Sequence, residues 1–299
     1  MIIDAHCHVF DRAGWSEQLA DRYLEAGLAE TPTWWDRSRT WTREDQLAPP
    51  ARLIAAMDAA GVDQAVVFGF TSRVYGSVTS RAFVRDAAQA YPDRLIPFYA
   101  VDPLGGRDAR REFEAALDDD GFQGGKLLAA YSHLPLDDAR LYPFYALAED
   151  RDIPLVVHTG STRLPDVKLA WQDPALLDDV GAAFPGLRLW HAHAGMQRWA
   201  TTFTLLAKYP RMVADLSFWG KYPPIMAAEA MVYAKQLGIV SRLFWGTDYP
   251  FWSPTEDLAR WRGIPAVQRQ LGLEPVLDEG DMAGILGGNV SRALGLSEA

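Results

Sequence analysis

At 299 residues, with 49% apolar residues, the chain has material for a sizeable core, and its net charge of −10 argues against nucleic acid or an anionic membrane surface as partner. A single cysteine excludes an intrachain disulfide. No signal peptide is visible and no apolar run approaches the ~20 residues that span a bilayer, so the expectation is a cytoplasmic protein without a membrane partner.

The first stretch, Met1-Ile-Ile-Asp-Ala-His-Cys-His-Val-Phe10, reads as a buried strand that presents His6 and His8 on one face and Cys7 on the other. Two imidazoles one pleat repeat apart can converge on a metal ion. The plainer reading is two polar residues where a strand meets a loop. Residues 11–50 hold Trp15, Trp34, Trp35 and Trp41 among charges and prolines without a clean period. Such a connection suggests a lid, a subunit contact compatible with a homodimer, or a satellite cluster packed on the body.

Regular alternation follows. An amphipathic helix with Leu53, Ile54 and Met57 stops at Gly61 and leads into a strand over Gln64–Phe70. Helices near 80–91, 107–120, 138–151, 175–184, 196–209 and 225–237 precede strands over 94–101, 122–128, 153–158, 187–193, 212–217 and 243–248. One or two further helices close the chain, the last near 281–286. Eight strands, each followed by a helix, and no linker predict one domain over residues 1–299: a (β/α)8 TIM barrel with a tryptophan-rich insertion after strand one. An open doubly wound sheet is the competitor, but the first turn lacks a Gly-x-Gly-x-x-Gly phosphate cradle.

In such a barrel the C-terminal strand ends form one ring where catalytic groups gather. His6 and His8 end strand one, Lys126 strand four, His158 strand five, His191 and His193 strand six, and Asp248 strand eight. Three imidazoles and a carboxylate suffice for one divalent ion with an open position. Asp248 is then placed to act as base for a metal-bound water, and His193 to stabilise an oxyanion or move a proton.

These residues resemble the amidohydrolase superfamily, in the amidohydrolase-related (family 2) branch that includes aminocarboxymuconate-semialdehyde decarboxylase. The resemblance rests on Asp4-Ala-His-Cys-His8, Gly124-Gly-Lys126, Pro154-Leu-Val-Val-His-Thr-Gly160, Leu187-Arg-Leu-Trp-His-Ala-His-Ala-Gly195, Trp245-Gly-Thr-Asp-Tyr-Pro-Phe251 and the closing stretch 285–295. It implies one divalent metal, commonly Zn with Mn or Fe as alternatives, held by His6, His8, His158 and Asp248. His193 falls at the family's catalytic histidine, and His191 is read as a core residue or one that supports the ligands from behind. Elsewhere in the superfamily a lysine placed like Lys126 is carbamylated and bridges two metals; here Lys126-Leu-Leu-Ala129 departs from the branch's usual Lys-Leu-His-Pro.

The reaction expected first is metal-dependent hydrolysis of an ester, lactone or amide in a small aromatic or carboxylated molecule. The alternative is non-oxidative decarboxylation of an aromatic or unsaturated acid, and a non-catalytic ligand-binding barrel is the third reading. Trp219, Tyr222, Phe251 and Trp252 are expected to ring the mouth, with Arg73, Lys126 and Arg163 available for a substrate carboxylate.

Overall fold

In a computed structural model that describes residues 1–28 and 40–296, eight parallel strands pair in chain order. They are β1 (Ile3–His8), β2 (Gln64–Phe68), β3 (Leu95–Val101), β4 (Gly125–Leu127), β5 (Pro154–His158), β6 (Arg188–Ala192), β7 (Val213–Asp215) and β8 (Leu243–Phe244). Strand β8 is short, but the chain beyond it still pairs with β1. Ala5 N–H donates to the Trp245 carbonyl at 2.9 Å, Asp248 N–H to His6 at 2.8 Å and His8 N–H to Tyr249 at 2.9 Å, which closes the barrel. The expected TIM barrel is the fold.

Helices α1 (Glu17–Tyr23) and α2 (Pro50–Ala60) lie between β1 and β2. Helices α3 (Arg81–Ala90), α4 (Gly106–Asp119), α5 (Tyr142–Asp150), α6 (Leu177–Ala183), α7 (Trp199–Lys208) and α8 (Pro224–Gln236) follow the next six strands in turn. The local signals behave as their chemistry requires. Gly61 ends α2 in a left-handed turn at φ 70°, and the Ser80 hydroxyl caps α3 by accepting from Phe83 N–H.

Three helices follow β8: α9 (Pro254–Gln270), α10 (Glu279–Ala283) and α11 (Asn289–Leu294). The helix expected near 281–286 as the last is therefore corrected. The chain leaves the helix at Gly287, whose backbone is extended at φ 174° and where a side chain would come within 2.4 Å of the Met1 carbonyl, and α11 continues beyond. Asn289 then ties α11 to the barrel base through the Val240 and Leu243 carbonyls, both at 2.9 Å.

The pleat separates two cores. Ile3, Ala5, Val66, Phe68, Ile96, Phe98, Val156, Trp190, Ala192 and Phe244 fill the barrel, and Val290 of α11 packs against them. Cys7, Val67, Leu155, Leu189, Leu243 and Trp245 face the helix layer. Of the insertion, Trp34 and Trp35 lie outside the described residues. Trp15 is buried and stacks on Phe10 with ring centroids 5.0 Å apart, and buried Trp41 lies 6.0 Å from the Phe251 ring.

Candidate active site

Strict alternation from Ile3 and Ala5, which face the barrel interior, would turn His6 and His8 outward. The register between β1 and β2 slips between Asp4 and Cys7, so β1 carries one extra residue there. After this bulge Cys7 faces the helices, while the His6 and His8 rings lie against Phe68 of the inner core, with centroids 4.7 and 4.8 Å from it. Asp4, turned the other way, accepts from Thr247 N–H at 2.9 Å and from its hydroxyl at 2.6 Å. That anchors the segment carrying Asp248, whose own backbone is left-handed at φ 63°.

His6, His8 and Asp248 present one ligand atom each within 4.8 Å of one another, a group able to hold a metal ion. Both Nε2 atoms lie 3.4 Å from Asp248 Oδ1. His6 Nδ1 faces Asp215 Oδ2 at 2.9 Å, which fixes the proton on Nδ1 and leaves Nε2 as a free lone pair. Burial lowers His6 to about 4, against the opposing pull of Asp215, so the imidazole is neutral and ligand-competent near neutrality. Lys126, fully buried, reaches His6 Nε2 at 3.2 Å and lies over the Phe68 ring at 4.6 Å. Burial brings its ammonium down to about 8.

His158 stands beside this group. Its Nδ1 faces His193 Nε2 at 3.1 Å, and its Nε2 faces Gln172 Oε1 at 3.1 Å. His193 Nδ1 lies 2.7 Å from Ser217 Oγ, and that hydroxyl donates to Asp215 Oδ1. Proton placement follows from these partners. Ser217, already donating, accepts from His193 Nδ1–H, and the Gln172 oxygen accepts from His158 Nε2–H. His193 Nε2 and His158 Nδ1 are then two lone pairs aimed at each other. A cation at this place would relieve the conflict, so the donor atoms gathered here fit a divalent ion. Burial, and next to it the neighbouring His193, holds His158 well below its usual value.

A cavity of about 280 Å³ opens over these groups. Trp15, Tyr23, Phe70, Tyr131, Phe218 and Phe251 supply its aromatic walls. Tyr23, from the insertion, is held by Tyr131 and Thr162, both hydroxyls 3.0 Å away. His8, Lys126, His158, Arg163, His193, Tyr222 and Asp248 also line it.

Three expected substrate contacts are corrected, since none lines the cavity. Arg73 is drawn to Asp102 and its side chain is largely solvated. Trp219 is buried behind the site, where its indole N–H donates to the His193 carbonyl at 2.8 Å. Trp252 lies behind the lining Lys221, whose ammonium is 5.5 Å from its ring, and has Arg260 over the ring at 5.4 Å. His191 is a core residue, fully buried with Nε2 3.4 Å from Met212 Sδ.

Sequence reasoning overlooked Lys221, Asp215, Ser217 and Gln172. Lys221 lines the cavity, and its ammonium lies 4.6 Å from the Phe218 ring centre, 5.5 Å from Trp252 and 6.0 Å from Trp41. Burial and then Arg163 bring it down to about 8. Asp215 had a usable signal, being an acid at the end of an otherwise apolar strand. Burial alone would raise it, but His6 and the other neighbours hold it well below the ordinary carboxylate range.

The chain belongs to the amidohydrolase family, whose model matches residues 3–296. No curated protein matches the chain. Among solved structures it is similar to 5-carboxyvanillate decarboxylase from Sphingomonas paucimobilis, at 16% identity and TM-score 0.68 over 99% of both chains. A dihydroxybenzoic acid decarboxylase from Polaromonas with bound manganese and the inhibitor 2-nitroresorcinol is 16% identical, with TM-score 0.65 over 100% of this chain and 98% of that one. A probable 2-pyrone-4,6-dicarboxylic acid hydrolase from Acinetobacter baumannii with citric acid bound is 18% identical, with TM-score 0.63 over 99% of both chains. At such identities the likeness is one of fold.

Proposed function

We propose that the protein is a metal-dependent carboxy-lyase that removes CO2 without oxidation from a flat aromatic or unsaturated carboxylic acid. The observation that carries this reading is the pairing of a metal-competent His6–His8–Asp248 group with an aromatic-walled cavity that also holds Lys126, Lys221 and Arg163. Ring walls favour a planar substrate, and the cations favour one bearing carboxylate. Two of the named structural likenesses are decarboxylases acting on such acids. Hydrolysis, the first expectation, has one of the three named structures on its side.

His6, His8, His158 and Asp248 are the proposed ligands, a donor set that suits zinc as well as manganese. A divalent ion held there supplies Lewis-acid polarisation of the substrate's oxygens. The chain's own groups do the rest. Lys221 and Arg163 draw the acid into the cavity, while Phe70, Tyr131 and Phe251 hold the ring and exclude water. As the carbon–carboxylate bond breaks, its electron pair remains on the substrate carbon and CO2 departs. Asp248, ionised at rest, takes a proton from a substrate hydroxyl and returns it to that carbon, and His193, oriented by Ser217, stands beside it to share the transfer.

The test is incubation of zinc- or manganese-loaded protein in D2O with hydroxylated benzoic acids and, in parallel, with aromatic lactones and esters. CO2 release with one deuterium at the vacated carbon is expected. Opening of a lactone or ester without CO2 release would replace this reading with hydrolysis.

A further inference from the structure

The opposite mouth of the barrel has a cavity of its own, about 410 Å³, where the strands begin. Buried Trp190 and Phe244 form its floor, and Leu294 of α11 adds a wall. Arg188, Arg211, Arg242 and Arg292 line it, and Asp152 is the one acid among the described residues that do.

Asp152 pairs with Arg211. The other three guanidiniums are held by neutral oxygens. Arg188 donates to the Asp152 carbonyl at 3.0 Å and to the Ala293 carbonyl. Arg242 donates to the carbonyls of Leu206 and of Tyr209, the latter at 3.1 Å. Arg292 donates to the Asn289 side chain. Each guanidinium has five N–H groups in a fixed fork, so these contacts position it and leave donors over. The result is an excess of three positive charges in a chain of net charge −10. Elsewhere arginines such as Arg12, Arg43, Arg94 and Arg151 find a carboxylate. Like charges gathered this closely destabilise one another unless an anion lies between them.

We propose that this basal cavity binds a phosphomonoester with an apolar body. A phosphate monoester carries close to two negative charges at neutral pH and three acceptor oxygens, which matches several guanidinium forks better than a single carboxylate does. The indole and phenyl floor receives the organic part, which inorganic phosphate would leave uncovered. The site also touches the chemistry above it. Trp190 Nε1 donates to Asp215 Oδ2 at 2.8 Å, and the same oxygen faces His6 Nδ1 at 2.9 Å. An occupant pressing on Trp190 bears on the carboxylate that orients His6.

Isothermal titration of the full-length, metal-loaded protein with phenyl phosphate and with inorganic phosphate tests the proposal. One phenyl phosphate per chain is expected, bound about tenfold more tightly than inorganic phosphate. Arg211→Gln and Arg292→Gln, both at exposed residues, should each weaken it about tenfold with an unchanged thermal midpoint. Lys221→Met in the upper cavity should leave it unaltered. Binding that survives both arginine changes, or that is lost in Lys221→Met, places the ester elsewhere and overturns the proposal. Equal affinity for the two phosphates rejects the apolar body, and failure of either to bind rejects the site.

Discussion

The two mouths of the barrel both gather ionisable side chains, but those side chains bond differently. At the C-terminal mouth they meet one another: His6 bonds to Asp215, His193 to Ser217 and Lys126 to His6, while His193 and His158 face each other across 3.1 Å. At the N-terminal mouth Arg188 and Arg242 bond chiefly to backbone carbonyls, and Asn289 does the same. The first arrangement is a network in which moving one proton or removing one carboxylate disturbs several neighbours. The second is a set of separate ties, each holding a helix or strand end in place. The upper mouth should therefore lose activity when changed, and the buried ties of the lower one, such as those of Asn289, stability.

The largest effect should come from Asp248→Ala, which we expect to reduce kcat about 10³-fold with the far-ultraviolet circular dichroism unaltered; activity within a few-fold of wild type would remove Asp248 from the chemistry. Next is Asp215→Asn. It keeps the shape but removes the charge that fixes the His6 tautomer, and should weaken metal retention by about 10–100-fold in a chelator competition. A retained metal with normal affinity would show that the upper network is less connected than its geometry implies.

Lys221 gives a smaller, pH-dependent effect. With its value lowered to about 8, the ammonium is charged below that pH and neutral above it. KM for an acidic substrate should then rise as pH passes through about 8, and Lys221→Met should abolish the inflection. At the base, Asn289→Ala leaves two carbonyls unsatisfied and should cost about 1–3 kcal/mol in a denaturant titration, with kcat unchanged. Smallest of all, Arg12→Gln removes a solvated ion pair with Glu44 and should leave the thermal midpoint where it is.

The barrel was legible because its buried strands are apolar runs separated by amphipathic helices, and the strand ends marked the mouth. What alternation could not reveal were the places where the backbone leaves the pleat. His191 and His193 are two residues apart, so a continuous strand would place them on one side. Strand β6 ends at Ala192, and His193 turns at φ 60° into the mouth while His191 remains in the outer core. Asp248 departs from β8 in the same left-handed way. Arg73 and Trp252 follow the correct strands, yet position after a strand says nothing about which neighbour a long side chain finds. Lys221 went unnoticed because a lysine between aromatic residues reads as a solvated surface charge until its ring neighbours are seen together.

The extra residue in β1 also separates two demands within one strand. Below it, Ile3 and Ala5 answer to the shape of the barrel interior; above it, His6 and His8 answer to the substrate. Because the slip decouples the phase of one half from that of the other, the lower half can be resized to suit its packing neighbours without rotating the imidazoles. The upper half can likewise take up new chemistry without reopening the barrel. Strand one thus carries two phases end to end, and the extra residue is the joint between them.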